Sequence, residues 1–524
     1  MRILPPAWRN SLAAALLPWR IRSRRDAAYD IEALGQNPAT LGRRALHGLA
    51  WMLAQNVVAR ASGLLSQLAL AALLKPADFG IISLTYTITS VAATLVNVGI
   101  DDVLLQRQRA LRLWAGPAFW ISFSLSLVAG VLVILLSPLA AAAYKAPDLV
   151  GLLAILALSM PVGALGTVPE MIMRARMQFG ILALYGTLEM VAQALLTVGF
   201  AWAGFGAYSF VIPAPILAAA RSIAWWRLAA AKTNFRPQRK RWKYVVGNTA
   251  ATFVTRTLIA LIGQGDYVVL GLLASQDVVG AYYFGFRLAA QPLWILAGNF
   301  SSVLFPALVQ LKSDPARQGG AALKASTLLS FCVMPLALLQ SAIAAPLVTS
   351  LFGQKWAPSI PIIQLLSVGL AFDAVSWVAG ALLSARGEFR AALRYALVQV
   401  PVFFALVTVG AELDQAVGVA WAVCIYYAIT QPFFVYEAYR RVGITTRQVV
   451  SIYLRPTSYA AMAVGVGWAV SMLPLFAARP LIRIVIITAA GAASYAALVR
   501  WLAPEVWNEL RDRLNSGLQG RVIV

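Results

Sequence analysis

Residues 48–99 read GLAWMLAQNVVARASGLLSQLALAALLKPADFGIISLTYTITSVAATLVNVG, two apolar runs joined by Lys75-Pro76-Ala77-Asp78. At about 1.5 Å of rise per residue, Leu49–Leu74 and Phe79–Val98 are each long enough to cross roughly 30 Å of bilayer hydrocarbon, so the stretch predicts a helical hairpin in a membrane. Arg60 falls about 16 Å into the first helix by the same rise, near the midplane. Asn56, Arg60, Gly63 and Gln67 recur at spacings of four, three and four, which is one stripe of a helix. A polar stripe on a membrane helix faces protein or water, not lipid.

The rest of the chain has the same character. Of 524 residues, 60% are hydrophobic and 12% charged, and the mean hydropathy is +0.75, values that a soluble domain does not reach. Cys332 and Cys424 both lie in apolar runs and read as small core residues, with no disulfide framework and no metal-ligand spacing. A net charge of +23 would point to nucleic acid in a soluble protein. Here the location of the charges decides, and no nucleic-acid partner is expected.

Residues 1–45 hold eight arginines around the patch Leu12–Leu17, which is too short to span, and Pro18-Trp19-Arg20 is not a small-residue cleavage site. They read as a basic cytoplasmic tail, either carrying an interfacial amphipathic helix or disordered. Twelve more apolar segments follow the opening pair: Trp114–Tyr144, Leu149–Met171, Ile181–Ala203, Tyr208–Leu228, Tyr244–Leu273, Val278–Phe305, Ala325–Leu351, Ile360–Ser384, Ala391–Gly410, Ala416–Ala438, Tyr453–Phe476 and Leu481–Leu502. Fourteen transmembrane helices are thus expected, in an all-α integral membrane protein. Alternate connections collect 35 of the 43 basic residues on one side and five, Lys75, Lys145, Lys355, Arg479 and Arg483, on the other. The positive-inside rule therefore puts both termini in the cytoplasm.

The most basic connection, residues 231–243, separates an N-lobe of six helices (46–230) from a C-lobe of six (244–440); a helix pair (441–503) and a cytoplasmic tail (504–524) complete the chain. Leu74-Lys75-Pro76-Ala77-Asp78-Phe79-Gly80 is echoed by Ala274-Ser275-Gln276-Asp277-Val278-Val279-Gly280 at an offset of 200 residues. At that offset Arg60 aligns with Ala260, one turn from Arg256. Six helices repeated in one orientation are the pattern of a two-lobed transporter with its site between the lobes.

Arg60, Arg256 and Arg287 have no loop to sit in. One such charge at the bilayer centre costs at least about 2.5–3.5 kcal/mol, so something compensates it. Pairing with Glu189, Asp266 or Asp373 is one answer. The acids are too few and too scattered for three pairs, which favours a hydrated cationic cavity suited to an anion, since guanidinium binds phosphate through two parallel hydrogen bonds. Polar stripes continue the pattern: Tyr86, Ser90, Thr94, Asn97 and Asp101 on the second helix, Asn248, Thr252 and Arg256 on the seventh, and Tyr283, Arg287, Gln291, Trp294 and Gly298 on the eighth. Asn56, Gln67, Asn248, Tyr283, Gln291 and Trp294 are the candidate sugar contacts, with packing the rival reading for Tyr283 and Trp294. Asp373, sharing a face with Trp377, Gly380 and Ser384, is the first candidate for an ion- or proton-coupling carboxylate, with Asp266 and Glu189 as competitors. No phosphate-binding Gly-x-x-x-x-Gly-Lys-Ser/Thr loop occurs, the one histidine, His47, stands at the start of the first helix, and no catalytic residue, metal site, cofactor or enzymatic activity is expected.

Gly48-x-x-Trp51, then Leu73-Leu74-Lys75-Pro76-Ala77-Asp78-Phe79-Gly80 and Asn97-Val98-Gly99-Ile100, resemble the Wzx-type polysaccharide flippases of the multidrug/oligosaccharidyl-lipid/polysaccharide superfamily. Asp266-Tyr267-Val268-Val269-Leu270-Gly271 with Gly280-Ala281-Tyr282-Tyr283 resembles the matching segment of that family's second lobe. The resemblance implies a two-lobed inner-membrane protein that moves an undecaprenyl-diphosphate-linked oligosaccharide to the periplasmic leaflet. Its family's cavity is cationic, and Arg60, Arg256 and Arg287 are the residues here that would supply the charge. The partners it implies are the lipid-linked oligosaccharide, membrane lipids and other polysaccharide-assembly proteins such as a polymerase. A cation-coupled multidrug exporter, a lipid II flippase and a non-transporting scaffold are the competing readings; an arginine-rich cavity disfavours the first, and the second would need the same diphosphate site.

Overall fold

The computed structural model describes the backbone of residues 62–96, 111–229, 240–473 and 480–518, apart from residues 64 and 177. Among these residues every regular element is helical and none is a strand. A helix satisfies its own N–H and C=O groups, which a lipid surrounding cannot do. Among the described residues seven helices are long and apolar enough to cross a membrane: Ala115–Ala143, Gly180–Trp202, Tyr208–Ala229, Pro315–Leu351, Ser359–Arg386, Arg390–Val442 and Pro480–Leu502. Their exposed residues are mostly large and apolar, among them Leu135, Leu139, Leu195 and Val485.

One span read from sequence is broken, and one continuous helical stretch resolves into the two spans read there, Ala391–Gly410 and Ala416–Ala438. Leu149–Met171 is a pair of helices, Leu149–Ala164 and Thr167–Arg174, bent by 48°. Pro161 lies in the last turns before the break, where its missing N–H and its ring disturb the helical ladder. The carbonyls near the bend are taken up by the Pro213–Ala229 helix: Ser222 Oγ donates to Val162 O at 2.7 Å and Trp226 Nε1 to Leu165 O at 2.8 Å. The other case is Phe389–Tyr439, whose 51 residues would extend about 76 Å if straight. Asp414 and Gln415 leave helical geometry there, Gln415 with φ of 40°. The Phe403 and Tyr426 rings lie 4.9 Å apart, and a Cβ on Gly410 would stand 2.4 Å from Gly418 O. The segment is therefore a tight hairpin of two antiparallel spans.

The chain divides into two compact units, residues 1–75 with 85–257 and residues 76–84 with 258–524. The second division falls inside the Lys240–Leu273 helix, beyond the basic stretch 231–243. In the first unit, Met173, Trp225 and Ala229 form a buried cluster under Ile181, Leu182 and Tyr185. Arg176 Nη1 donates to Ala229 O at 2.9 Å, a cation on the free carbonyls of a helix C-terminus. In the second unit Ser359–Arg386 is the central helix and the most buried of the apolar spans. Gly369 lets it approach the hairpin, since a Cβ there would lie 2.7 Å from Cys424 Cα.

The two echoed motifs meet within the second unit. A Cβ on Gly80 would stand 2.0 Å from Gln276 O, and a Cβ on Gly280 would stand 1.8 Å from Pro76 O. Each glycine thus faces the carbonyl four residues before the other, the reciprocity of a local two-fold axis running between residues 200 positions apart. Only glycine permits backbones this close. Phe79 closes the crossing from the side, its ring edge-on to Trp356 at 5.0 Å and to Phe284 at 6.1 Å. Trp356, fully buried, stacks on Phe284 at 4.0 Å.

Candidate functional site

Asp266, 3% exposed near the end of the Lys240–Leu273 helix, is the buried carboxylate of the second unit. Tyr282 donates its hydroxyl to Oδ2 at 2.8 Å, and the N–H of Tyr267 donates to Oδ1 at 2.9 Å. Both tyrosines are buried, so the polar contacts sit in an apolar shell where each counts for more than in water. The Tyr267 ring is edge-on to Tyr282 at 5.6 Å, to Tyr283 at 5.8 Å and to Phe286 at 5.8 Å. An aromatic box therefore joins the carboxyl to the next turn of the Gln276–Gln310 helix.

That turn carries Arg287. Its Nη1 donates to the Tyr283 hydroxyl at 2.8 Å, and the guanidinium carbon lies 5.9 Å from the centre of the same ring. Four residues apart, the two side chains share one helix face. Arg287 is exposed and Tyr283 half-buried, so the tyrosine hydroxyl holds one end of the guanidinium. Trp294, 41% exposed, meets Phe286 at 5.9 Å; Gln291 is half-buried. Tyr283 and Trp294 thus both engage in packing, and Tyr283 also holds the arginine.

Asp373, half-buried on Ser359–Arg386, accepts from Trp377 Nε1 at 3.2 Å. Tyr427, on the returning arm of the hairpin, is within electrostatic reach of both Asp373 and Asp266. Two of the three proposed coupling carboxyls, Asp266 and Asp373, belong to the same compact unit. Among the described residues neither has an ion-pair partner. A sheltered carboxyl with hydroxyl, amide or indole donors and no fixed counter-charge is equipped to exchange a proton or a small cation.

Glu189 lies apart, in the first unit, where its Oε1 is 3.2 Å from Nη1 of Arg221. Arg221 sits inside the Pro213–Ala229 helix. Gln67 is buried. Arg60 and Asn56 lie outside the described residues, and for Arg256 and Asn248 only the helical backbone of Lys240–Leu273 is described. Tyr282, Tyr267, Tyr427 and Arg221 are the site residues that sequence reasoning passed over. The signal for Tyr282 was present in Gly280-Ala281-Tyr282-Tyr283, where a buried carboxylate one helix earlier requires a donor.

Fold and composition together define an all-helical, multi-pass membrane protein. The solved structure "Lipid II flippase MurJ, inward closed conformation" matches 86% of this chain and 99% of its own with a TM-score of 0.67 at 15% identity, a likeness of fold. Residues 69–361 match the model of the family described as "Polysaccharide biosynthesis protein", and the chain belongs to that family. Among its relatives, "Lipopolysaccharide biosynthesis protein WzxC" of Escherichia coli (strain K12) is 23% identical over 389 residues, 72% of this chain and 78% of that protein. "Succinoglycan biosynthesis transport protein ExoT" of Rhizobium meliloti (strain 1021) is also 23% identical, over 440 residues, 82% of this chain and 87% of that protein.

Proposed function

We propose that the protein is an inner-membrane flippase that carries an undecaprenyl-diphosphate-linked oligosaccharide from the cytoplasmic to the periplasmic leaflet. The observation that carries this reading is the family match over residues 69–361, in a chain whose fold is that of a transporter. Fourteen spans, as two six-helix lobes (46–230 and 244–440) and a terminal pair (441–503), with both termini cytoplasmic, accommodate the charge asymmetry of the connections. Arg60, Arg256 and Arg287 line a cationic cavity and hold the diphosphate during alternating access, while the polyprenyl tail stays in the bilayer. Arg287 is supported in this role by its exposure and by the Tyr283 hydroxyl that aims it. Asn56, Gln67, Asn248, Gln291 and Trp294 contact the sugars.

Asp266 and Asp373 are the coupling pair; Glu189 is the weaker third, because Arg221 already neutralises it. A polymerase or another polysaccharide-assembly protein receives the product. The test is polysaccharide export by cells carrying Arg60→Ala, Arg256→Ala or Arg287→Ala, with membrane accumulation of each variant measured in parallel. Export is expected to vanish while the proteins still insert. Wild-type export from Arg60→Ala and Arg256→Ala would overturn the mechanism. Substitution of the cell's lipid-linked glycan by lipid II in a reconstituted assay separates the two flippase readings.

A further inference from the structure

The hairpin Phe389–Tyr439 carries a concavity of about 440 Å³ at the arginine-rich end of its two arms. On the outgoing arm Arg394, Val398 and Val402 follow one another at spacings of four; on the returning arm Ile429, Phe433 and Glu437 do the same, and Arg441 stands in the turn just past its end. Because the arms are antiparallel, the two stripes face one groove with its basic residues at one end and its apolar residues at the other. Val398 and Ile429 are each 65% exposed, and Phe433 is 55% exposed. From Arg394 to Val402 the groove runs about 12 Å along the helix axis.

Its mouth is cationic. Arg394, Arg440 and Arg441 line it against a single carboxylate, Glu437, and Arg440 already pairs with that carboxylate at 2.7 Å. Arg441 pairs with Glu388. Arg394 has no ion-pair partner among the described residues. The wall between the arms is fixed: the Tyr395 hydroxyl donates to Thr430 O, and the Tyr395 ring packs 4.8 Å from that of Phe434. A surplus cation at the mouth of a preformed apolar groove on a membrane helix pair matches an amphiphile, with an anionic head at the interface and a chain lying toward the membrane interior. A free phosphate would use the arginines and leave the apolar length of the groove unexplained.

We infer that this groove is a binding site for an anionic phospholipid of the same leaflet, its phosphate on Arg394 and one acyl chain along Val398, Val402, Ile429 and Phe433. The site is separate from the Asp266–Arg287 cluster and stands whichever substrate the protein carries. It would hold the hairpin in register with the lipid around it.

Native mass spectrometry of the full-length protein after graded delipidation, titrated with phosphatidylglycerol or with phosphatidylcholine of the same chains, tests the proposal. Wild-type protein is expected to retain phosphatidylglycerol preferentially. Arg394→Gln should weaken phosphatidylglycerol roughly five- to tenfold, the loss of one charge-assisted phosphate contact at a net anionic head, and weaken phosphatidylcholine less, because the choline ammonium already offsets its phosphate. Val398→Trp, which fills the groove without touching a charge, should weaken both lipids. Equal retention of the two lipids by the wild type overturns the proposal. So do wild-type affinities in both variants, or a polyprenyl phosphate, in place of a phospholipid, displaced from the purified protein by Val398→Trp.

Discussion

Gly280→Ala is the substitution whose consequence follows most directly from geometry. The added Cβ would stand 1.8 Å from Pro76 O, 2.6 Å from Pro76 C and 2.9 Å from Gly80 N, whereas real Cβ contacts essentially never fall under 3.0 Å. All three neighbours are backbone, so no side chain can rotate away, and the first turns of two helices must separate. Separation also loosens Phe79 from Phe284 and Trp356. Overpacking by one methylene costs about 1–3 kcal/mol when side chains can yield, so a backbone clash belongs at the upper end. About 3 kcal/mol is a factor of roughly 150 in the folded-to-unfolded ratio and a fall of about 6–12 °C in apparent Tm. Gly263→Ala is the control: nothing lies within 4 Å of its added Cβ, and alanine in a helix interior is worth about 0.5–1 kcal/mol over glycine. Thermal unfolding of both variants in detergent, followed by size-exclusion fluorescence, measures the difference. Equal melting of Gly280→Ala and Gly263→Ala would refute the close crossing of the two echoed motifs. Gly80→Ala, whose Cβ would meet Gln276 O at 2.0 Å, should behave as Gly280→Ala does.

Tyr282→Phe removes the hydroxyl that Asp266 accepts from, leaving part of a buried carboxyl unsatisfied, and should cost about 1–3 kcal/mol; strict additivity with Asp266→Asn in a double-mutant cycle would contradict the contact. Glu388, in the connection between two helices, loses solvation, but hydrogen bonds from Arg386 and Arg441 and then their charges outweigh that loss and hold its carboxyl below the ordinary 4.5. Its stabilising contribution is therefore complete above pH 4.5 and is lost as pH falls through the lowered folded value; Glu388→Gln should flatten the acid limb of a Tm-against-pH curve, and an unchanged limb would count against the triad. Glu189→Ala or Arg221→Ala alone leaves an unpaired charge on a span, at about 2.5–3.5 kcal/mol, and should lower membrane accumulation more than the double substitution does. A double variant as depleted as the worse single one would deny the pairing.

What could be read in advance was what depends on local pattern. Apolar runs of bilayer length and the sorting of lysine and arginine between alternate connections require only the chain's own order, because lipid admits self-satisfied helices and little else. The same holds for the echo at 200 residues and for the turn between Gly410 and Ala416, where the hairpin bends. Arg287 and Tyr283 could be paired in advance, since four residues always share a helix face.

What could not be read depended on which faces meet. The sequence lists Glu189, Asp266 and Asp373 as equivalent intramembrane acids. Packing separates them, giving the first a guanidinium, the second a tyrosine hydroxyl inside an aromatic box and the third an indole. The bend after Pro161 is stable only because Ser222 and Trp226, some 60 positions later, reach the carbonyls beside it. By itself, then, the sequence determined a helical membrane protein with a repeat and a surplus of cations. The tertiary structure decided that the repeated glycines touch and which acids are neutralised, because contacts between helices are set by side-chain shapes and close approaches that no one-dimensional period encodes.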